Sequence, residues 1–197
     1  MQFRPLSIEG AWEVTPRLFP DSRGAFAEGF RSDKLAEHIG HTMTVAQTNI
    51  SVSTAGAVRG IHYAALPPSQ AKYVTALSGV FLDCIVDIRA GSPTFGRVDV
   101  VRLDTDERRA VYLSEGLGHA LICLEGGTAV YLCSTPYNPA GEKGITPLDP
   151  SIALPMPEGF VPILSEKDTA APTLHQALEA GLLPDYAACL AYRRGLA

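Results

Sequence analysis

Arg59-Gly60-Ile61-His62-Tyr63 and Gln70-Ala71-Lys72-Tyr73 place an arginine, a histidine and a lysine within one short stretch of chain. Each type suits a different task. A histidine takes up or releases a proton near neutral pH. A lysine ammonium stabilises an oxyanion as it develops. An arginine grips a diphosphate in two places. Taken singly, these residues read equally as surface cations and a core histidine, so it is their density that points to a site. Gly116-Leu117-Gly118-His119-Ala120 opens a strand, and its glycines would let a ligand approach the backbone. Tyr131, in Ala129-Val130-Tyr131-Leu132-Cys133, is a core tyrosine or a general acid. By period two it shares a face with Ala129 and Cys133; if Val130 and Leu132 face an outer layer, Tyr131 points inward. Leu164-Ser165-Glu166-Lys167-Asp168 reads by itself as a charged turn. Asp21-Ser22-Arg23-Gly24 also reads as a turn, with Arg23 either free for a phosphate or paired with Asp21.

The elements that must position these groups are mainly strands. Residues 44–53 alternate, with Ala46, Ile50 and Val52 on one face and Gln47, Asn49 and Ser51 on the other. Strands over 72–78 and 80–89 follow, and Ser78-Gly79 between them suits a tight hairpin. In 80–89, Leu82, Cys84, Val86 and Ile88 form an apolar face that should pack inward. Asp83, Asp87 and Arg89 alternate with Phe81 and Ile85 on a mixed face. Further strands are expected near 97–103, 110–113, 120–124 and 128–134. Arg59 and His62 have opposite parity on an ideal strand, so either Gly60 marks a bulge or the two serve different walls. Helices are few: one capped by Ser32, one from Thr173 to Gly181, and one from Asp185 to about Arg194. Many short strands first and helices last suggests a β-sandwich or barrel with a helical tail.

The bulk numbers set the class. The chain has 197 residues, 46% of them hydrophobic and 19% charged, which fits a single folded domain over 1–197. A net charge of -5 argues against a nucleic-acid partner but leaves room for an anionic small ligand. Cys84, Cys123, Cys133 and Cys189 form no C-x-x-C pair and read as free thiols in a reducing cytoplasm. The first residues carry no apolar signal core, and no apolar run is long enough to cross a membrane.

In order along the chain, these stretches resemble the dTDP-4-keto-6-deoxyglucose (dTDP-4-dehydrorhamnose) 3,5-epimerase family of deoxysugar biosynthesis, related antibiotic-sugar mono-epimerases included. The resemblance runs through Phe19-Pro20-Asp21-Ser22-Arg23-Gly24, Gln47-Thr48-Asn49-Ile50-Ser51, the Arg59 and Gln70 stretches, and Asp87-Ile88-Arg89-Ala90-Gly91-Ser92-Pro93-Thr94-Phe95-Gly96. It continues through Gly116-Leu117-Gly118-His119, Val130-Tyr131-Leu132-Cys133, Leu164-Ser165-Glu166-Lys167-Asp168 and Gly181-Leu182-Leu183-Pro184. It implies a cupin-type double-stranded β-helix, or jelly-roll barrel. It also implies a homodimer with exchanged N-terminal strands and neither metal nor organic cofactor. His62 would be the general base, Asp168 its charge partner, Lys72 the stabiliser of an enolate oxygen and Tyr131 the general acid. His119 would line the sugar pocket. Arg59, Gln47 and Asn49 would hold the diphosphate region. Arg23, Phe26 and Glu28 would reach the nucleotide across the dimer interface. Tyr137, Glu142 and Lys167 would be further substrate contacts. The activity implied is inversion at C3, C5 or both of a dTDP-4-keto-6-deoxyhexose. The alternatives are a metal-dependent cupin enzyme, a non-catalytic sugar-nucleotide-binding cupin and a 3,4-ketoisomerase of related fold.

Overall fold

The computed structural model describes residues 1–67 and 69–196. Two antiparallel sheets face each other. The six-stranded sheet runs in the order β1 (Gln2–Pro5), β2 (Ala11–Thr15), β10 (Ala110–Leu113), β7 (Lys72–Ser78), β12 (Gly127–Cys133) and β5 (Gln47–Ser53). The five-stranded sheet runs β13 (Glu142–Gly144), β6 (Val58–Ala64), β11 (Gly118–Cys123), β8 (Phe81–Val86) and β9 (Val98–Leu103). Between them Phe81, Ile85, Val101, Leu103, Val111 and Leu113 form a buried core. This is the expected jelly-roll barrel of the cupin type. A separate hairpin, β3 (Leu18–Asp21) with β4 (Gly24–Ala27), pairs only with itself and is largely exposed. Among the described residues no helix is long and apolar enough to cross a membrane.

The anticipated hairpin at Ser78-Gly79 does not form. β7 and β8 lie in different sheets, so the turn carries the chain from one wall to the other. Gly79 has φ 74°, and a Cβ there would collide with the backbone of Gly126 and Gly127. The turn residues are therefore demanded by a crossing point between two backbones.

The orientation of β8 also differs from the expectation. Its mixed face, Phe81, Asp83 and Ile85, points into the barrel; Phe81 and Ile85 join the interior core and Asp83 is fully buried. Its all-apolar face is the outer one. There Cys84 and Val86 meet Leu174 and Ala177 of the tail. Both faces of the strand are covered, so hydrophobicity alone could not say which was inside. β5, for which the sequence assigned no inner face, also turns its polar side inward. Ile50 is 70% and Val52 71% exposed, while the polar Gln47, Asn49 and Ser51 turn inward.

The helices are α1 (Ser32–Ile39), α2 (Glu166–Thr169), α3 (Leu174–Glu179) and α4 (Tyr186–Arg194). Ser32 is not the cap of α1: that place belongs to Arg31, which caps with no side chain and instead pairs with Asp33 and Glu28. α3 begins in a full capping box, Thr173 with Gln176, and Asp185 caps α4. All four cysteines are free and buried.

The Asp87–Gly96 stretch ties the tail to the barrel. Arg89 and Asp87 are fully buried and joined at 2.8 Å, with Ser92 and Thr94 donating to the same carboxylate. Arg89 lies 5.0 Å from the centre of the Tyr186 ring, and Ala90 exchanges backbone hydrogen bonds with Pro184 and Tyr186. Burial alone would raise the Asp87 carboxyl; the bonds from Arg89, Ser92 and Thr94 outweigh it and hold the group below its ordinary value. Asp87→Asn leaves a buried guanidinium without its counter-charge and should cost about 3–5 kcal/mol of stability. A folded-state value below the unfolded one adds stability that is complete above the unfolded value and lost as pH falls through the folded one. Denaturant melts should therefore show a gap between wild type and variant at neutral pH that narrows only in strong acid.

Candidate active site

One cavity of about 710 Å³ opens between the two sheets, and residues from both walls line it. From the six-stranded sheet come Asn49 and Ser51 of β5, Lys72 of β7 and Tyr131 of β12. From the five-stranded sheet come Arg59 and His62 of β6, His119 of β11 and Glu142 of β13. Tyr137, Lys167 and Asp168 complete the candidates that the cavity brings together.

His62 and Asp168 meet although 106 positions separate them. Nε2 of the ring lies 2.7 Å from Oδ1 of the carboxylate. The supposed charged turn is a single helical turn, α2, and Ser165 at its start accepts the Asp168 backbone N–H at 3.1 Å. Asp168 is thereby held 4% exposed. Burial pushes its carboxyl up. Hydrogen bonds from His62 and Ser165 and from the backbone of Gly60 overcome this and leave it below the ordinary carboxylate value. A carboxylate fixed on one ring nitrogen sets the tautomer and favours the imidazolium when the other nitrogen takes a proton.

Gly60 answers the parity problem of β6. The pairing of β6 with β11 shifts between His119↔His62 and Leu121↔Arg59, so the strand bulges there. Gly60 has φ 129°, and a Cβ would come within 2.5 Å of the His119 carbonyl. The bulge turns Arg59 and His62 onto the same cavity. Arg59 is steadied from β5: Nε donates to Ser53 Oγ and Nη2 to the Val52 carbonyl, both at 2.9 Å.

On the opposite wall, Tyr131 shares the inward face with Ala129 and Cys133, as period two required. Burial, with Cys133 and Glu142 adding to it, raises its phenol above the usual value against the pull of Arg59 and Asn49. The group stays a phenol at neutral pH and can donate a proton. Lys72 is buried beside His119, with Nζ 3.4 Å from Nε2. Burial lowers its ammonium, while Glu142, Cys133 and Asp83 oppose the shift.

Four sequence candidates lie outside the cavity lining. Gln47 is a neighbour: its amide donates to Asn49 Oδ1 at 2.7 Å and accepts the Tyr137 backbone N–H at 2.7 Å. Arg23, Phe26 and Glu28 belong to or follow the exposed β3–β4 arm. Arg23 is paired with Asp21 at 2.6 Å and Glu28 with Arg31 at 2.8 Å. Sequence reasoning missed Ser51, Gln70 and Leu121 as lining residues, and Asp83 behind His119. The signal for Asp83 was present, since it is an acid sharing a strand face with Phe81 and Ile85. Among the described residues no group of three His, Cys, Asp or Glu side chains is placed to hold a metal ion.

The dTDP-4-dehydrorhamnose 3,5-epimerase profile matches residues 5–176. The chain belongs to the dTDP-4-dehydrorhamnose 3,5-epimerase family. A 3,5-epimerase of that name from Streptomyces griseus is 50% identical over 194 residues, covering 98% of this chain and 96% of its own. The rmlC epimerase of Mycobacterium tuberculosis superposes with a TM-score of 0.97 at 46% identity, over 100% of both chains. ChmJ of Streptomyces bikiniensis, a 3'-monoepimerase solved with dTDP-quinovose, gives 0.95 at 47% identity over 98% of both. Members of the epimerase family with different numbers of inverted carbons are thus similarly close to this chain.

Removing His62 tests the electrostatics of this epimerase site. In His62→Ala the Asp168 carboxyl loses its main hydrogen-bond donor while its burial remains, so it should titrate at higher pH than in the wild type. Carbon-13 NMR of the aspartate carboxyls reads the shift; an unmoved Asp168 would mean that the hydrogen bond contributes little.

Proposed function

We propose that this chain is an epimerase of a dTDP-4-keto-6-deoxyhexose, inverting C3, C5 or both through an enolate. The observation that carries the reading is the division of labour between the walls. The His62–Asp168 pair stands on one sheet and Tyr131 on the other, with Lys72 in the same cavity. A proton beside a ketone leaves readily only if the electron pair it releases can rest on the carbonyl oxygen. His62 takes that proton, and its charge is balanced by Asp168. Lys72 donates to the oxygen as it becomes an enolate. Tyr131 returns a proton to the opposite face of the same carbon, and inversion results. His62 then gives its proton to solvent and the Tyr131 phenolate takes one back, so the site is reset. His119 lines the sugar end, and Arg59 and Asn49 hold the diphosphate region, with Gln47 bracing Asn49. Glu142, Tyr137 and Lys167 are further contacts.

These groups complete the proton transfers by themselves, so no metal or organic cofactor is invoked. A metal-binding role for His119 also lacks a donor, since its two ring nitrogens face Asp83 and Lys72. The chain works as one domain over 1–197. Its four free thiols support a place in the reducing cytoplasm.

Two copies act together in this reading. The β3–β4 arm contributes nothing to the lining of its own cavity, with Phe26 67% exposed, and Ile50 and Val52 of β5 are exposed at the rim of that cavity. The exchanged N-terminal strands of this reading would include the arm, which pairs with no other strand among the described residues. It would bring Arg23, Phe26 and Glu28 to the partner's nucleotide. A Val52→Asp variant should sediment as a monomer; an unchanged dimer would remove this face as the interface.

Incubation of dTDP-4-keto-6-deoxyglucose with the protein in heavy water, followed by NMR, tests the reaction. Deuterium at C3 and C5 with changed ring configuration is the expected outcome for a double epimerase, and at one carbon for a mono-epimerase. No exchange at either carbon sinks the reading, and a carbonyl moved from C4 points to a ketoisomerase. Tyr131→Phe should still exchange the proton but invert about 100-fold or more slowly, the usual scale for losing a general acid.

A further inference from the structure

Behind Lys72 the cavity wall continues inward as a chain of three side chains from three strands. Lys72 Nζ of β7 lies 3.4 Å from His119 Nε2 of β11, and His119 Nδ1 lies 3.0 Å from Asp83 Oδ1 of β8. Asp83 is 0% and His119 6% exposed. An ammonium has donors and no acceptor, so His119 Nε2 must accept from it. That leaves Nδ1 as the N–H, which must donate to Asp83. With Lys72 charged, the protons on this chain have one arrangement: cation, neutral imidazole, anion.

The charge balance points the same way. A buried carboxylate is stable only with a counter-charge, and the second oxygen of Asp83, Oδ2, has no hydrogen-bond partner among the described residues. The charge that faces it through His119 is Lys72. Lys72 in turn faces Glu142 on β13, Cys133 on β12 and, through His119, Asp83 on β8; His62 on β6 is a further neighbour of His119. Glu142 lines the open cavity, within a ligand's reach. Asp83 alone of these acids lies behind the wall, out of a ligand's reach.

We propose that Asp83 is a positioning residue which, acting through His119, supplies the fixed counter-charge that keeps Lys72 protonated and aimed into the cavity. The role of that charge at an enolate oxygen rests on the function proposed above; the charge state itself does not. The arrangement also removes His119 from proton transfer with the substrate, because both of its nitrogens are engaged. His62 and His119 therefore differ in kind. One imidazole has a carboxylate on one nitrogen and, among the described residues, no hydrogen-bond partner on the other; the second is a spacer between two charges.

The chain has four lysines, Lys34, Lys72, Lys143 and Lys167, so carbon-13 labelling at lysine Cε gives a readable titration, with Lys72→Met assigning the signal. In full-length Asp83→Asn the Lys72 midpoint should fall by about one pH unit or more while the other three stay fixed. The alkaline limb of the pH–rate profile should fall with it. An unmoved Lys72 midpoint overturns the proposal. Absence of turnover in wild type and variant alike would count against the epimerase reading, and the lysine titration would still decide the role of Asp83. Should Asp83→Asn not fold, nitrogen-15 shifts of His119 in the wild type give the second test. Nδ1 must read as protonated and Nε2 as unprotonated at neutral pH; the reverse tautomer or an imidazolium overturns the proposal.

Discussion

The hydrogen bond between His62 and Asp168 spans 106 positions, and much of the architecture serves to make it. The chain must finish both sheets and then return beside the start of β6 to deliver a carboxylate. Ala57 and Ile163 form a parallel bridge that lays the returning segment beside the strand. Ser165 starts one helical turn and fixes Asp168 within it, and the bulge at Gly60 turns His62 to meet it. A dyad assembled in this way is stiff, since each partner is held by backbone hydrogen bonds as well as by the other.

The same returning segment explains why the barrel looks inverted in sequence. The tail covers the outer face of the five-stranded sheet with Leu174, Ala177 and their neighbours, so that face must be apolar. The inner face is then free to carry polar groups at one end of the barrel, provided that each is paired. Phe81 and Ile85 keep the rest of the interior apolar, and Asp83 between them is tolerated because His119 meets it. On β5 the polar side chains go inward to the cavity, and the apolar ones are left on the surface. Function has in both places reversed the usual assignment of faces.

Charge in this site comes in balanced sets. Asp83 stands against Lys72 through a neutral ring, and Asp168 is hydrogen-bonded to His62, whose charge it would balance once that ring takes a proton. Far from the cavity, Asp87 and Arg89 repeat the pattern for a purely architectural end, where they anchor α4. Buried ions in low dielectric interact strongly, and each set limits the protonation states available to its members. An enzyme that moves protons benefits when only the intended groups are free to exchange them.

Local chemistry was legible in the sequence. The alternation of Ala129-Val130-Tyr131 put Tyr131 on one face with Ala129 and Cys133, the Thr173 and Asp185 caps started two helices where they stand, and the order of the motifs was enough to suggest the family and its barrel. These features depend on neighbours a few residues apart, which the sequence displays directly. It did not display which face of β8 was inside, because covering a sheet on both sides erases the contrast that marks a face; on β5 the contrast was plain, but the cavity takes the polar face inward. It suggested a hairpin at Ser78-Gly79, where the turn instead crosses between sheets; a glycine turn looks the same in both settings. Nor could it show Asp83 reaching Lys72 through His119, since three strands in two sheets must first be placed side by side. Residue types and periods are local properties, whereas pairing partners and burial of charge are set by the closed barrel, and only the tertiary structure decided them.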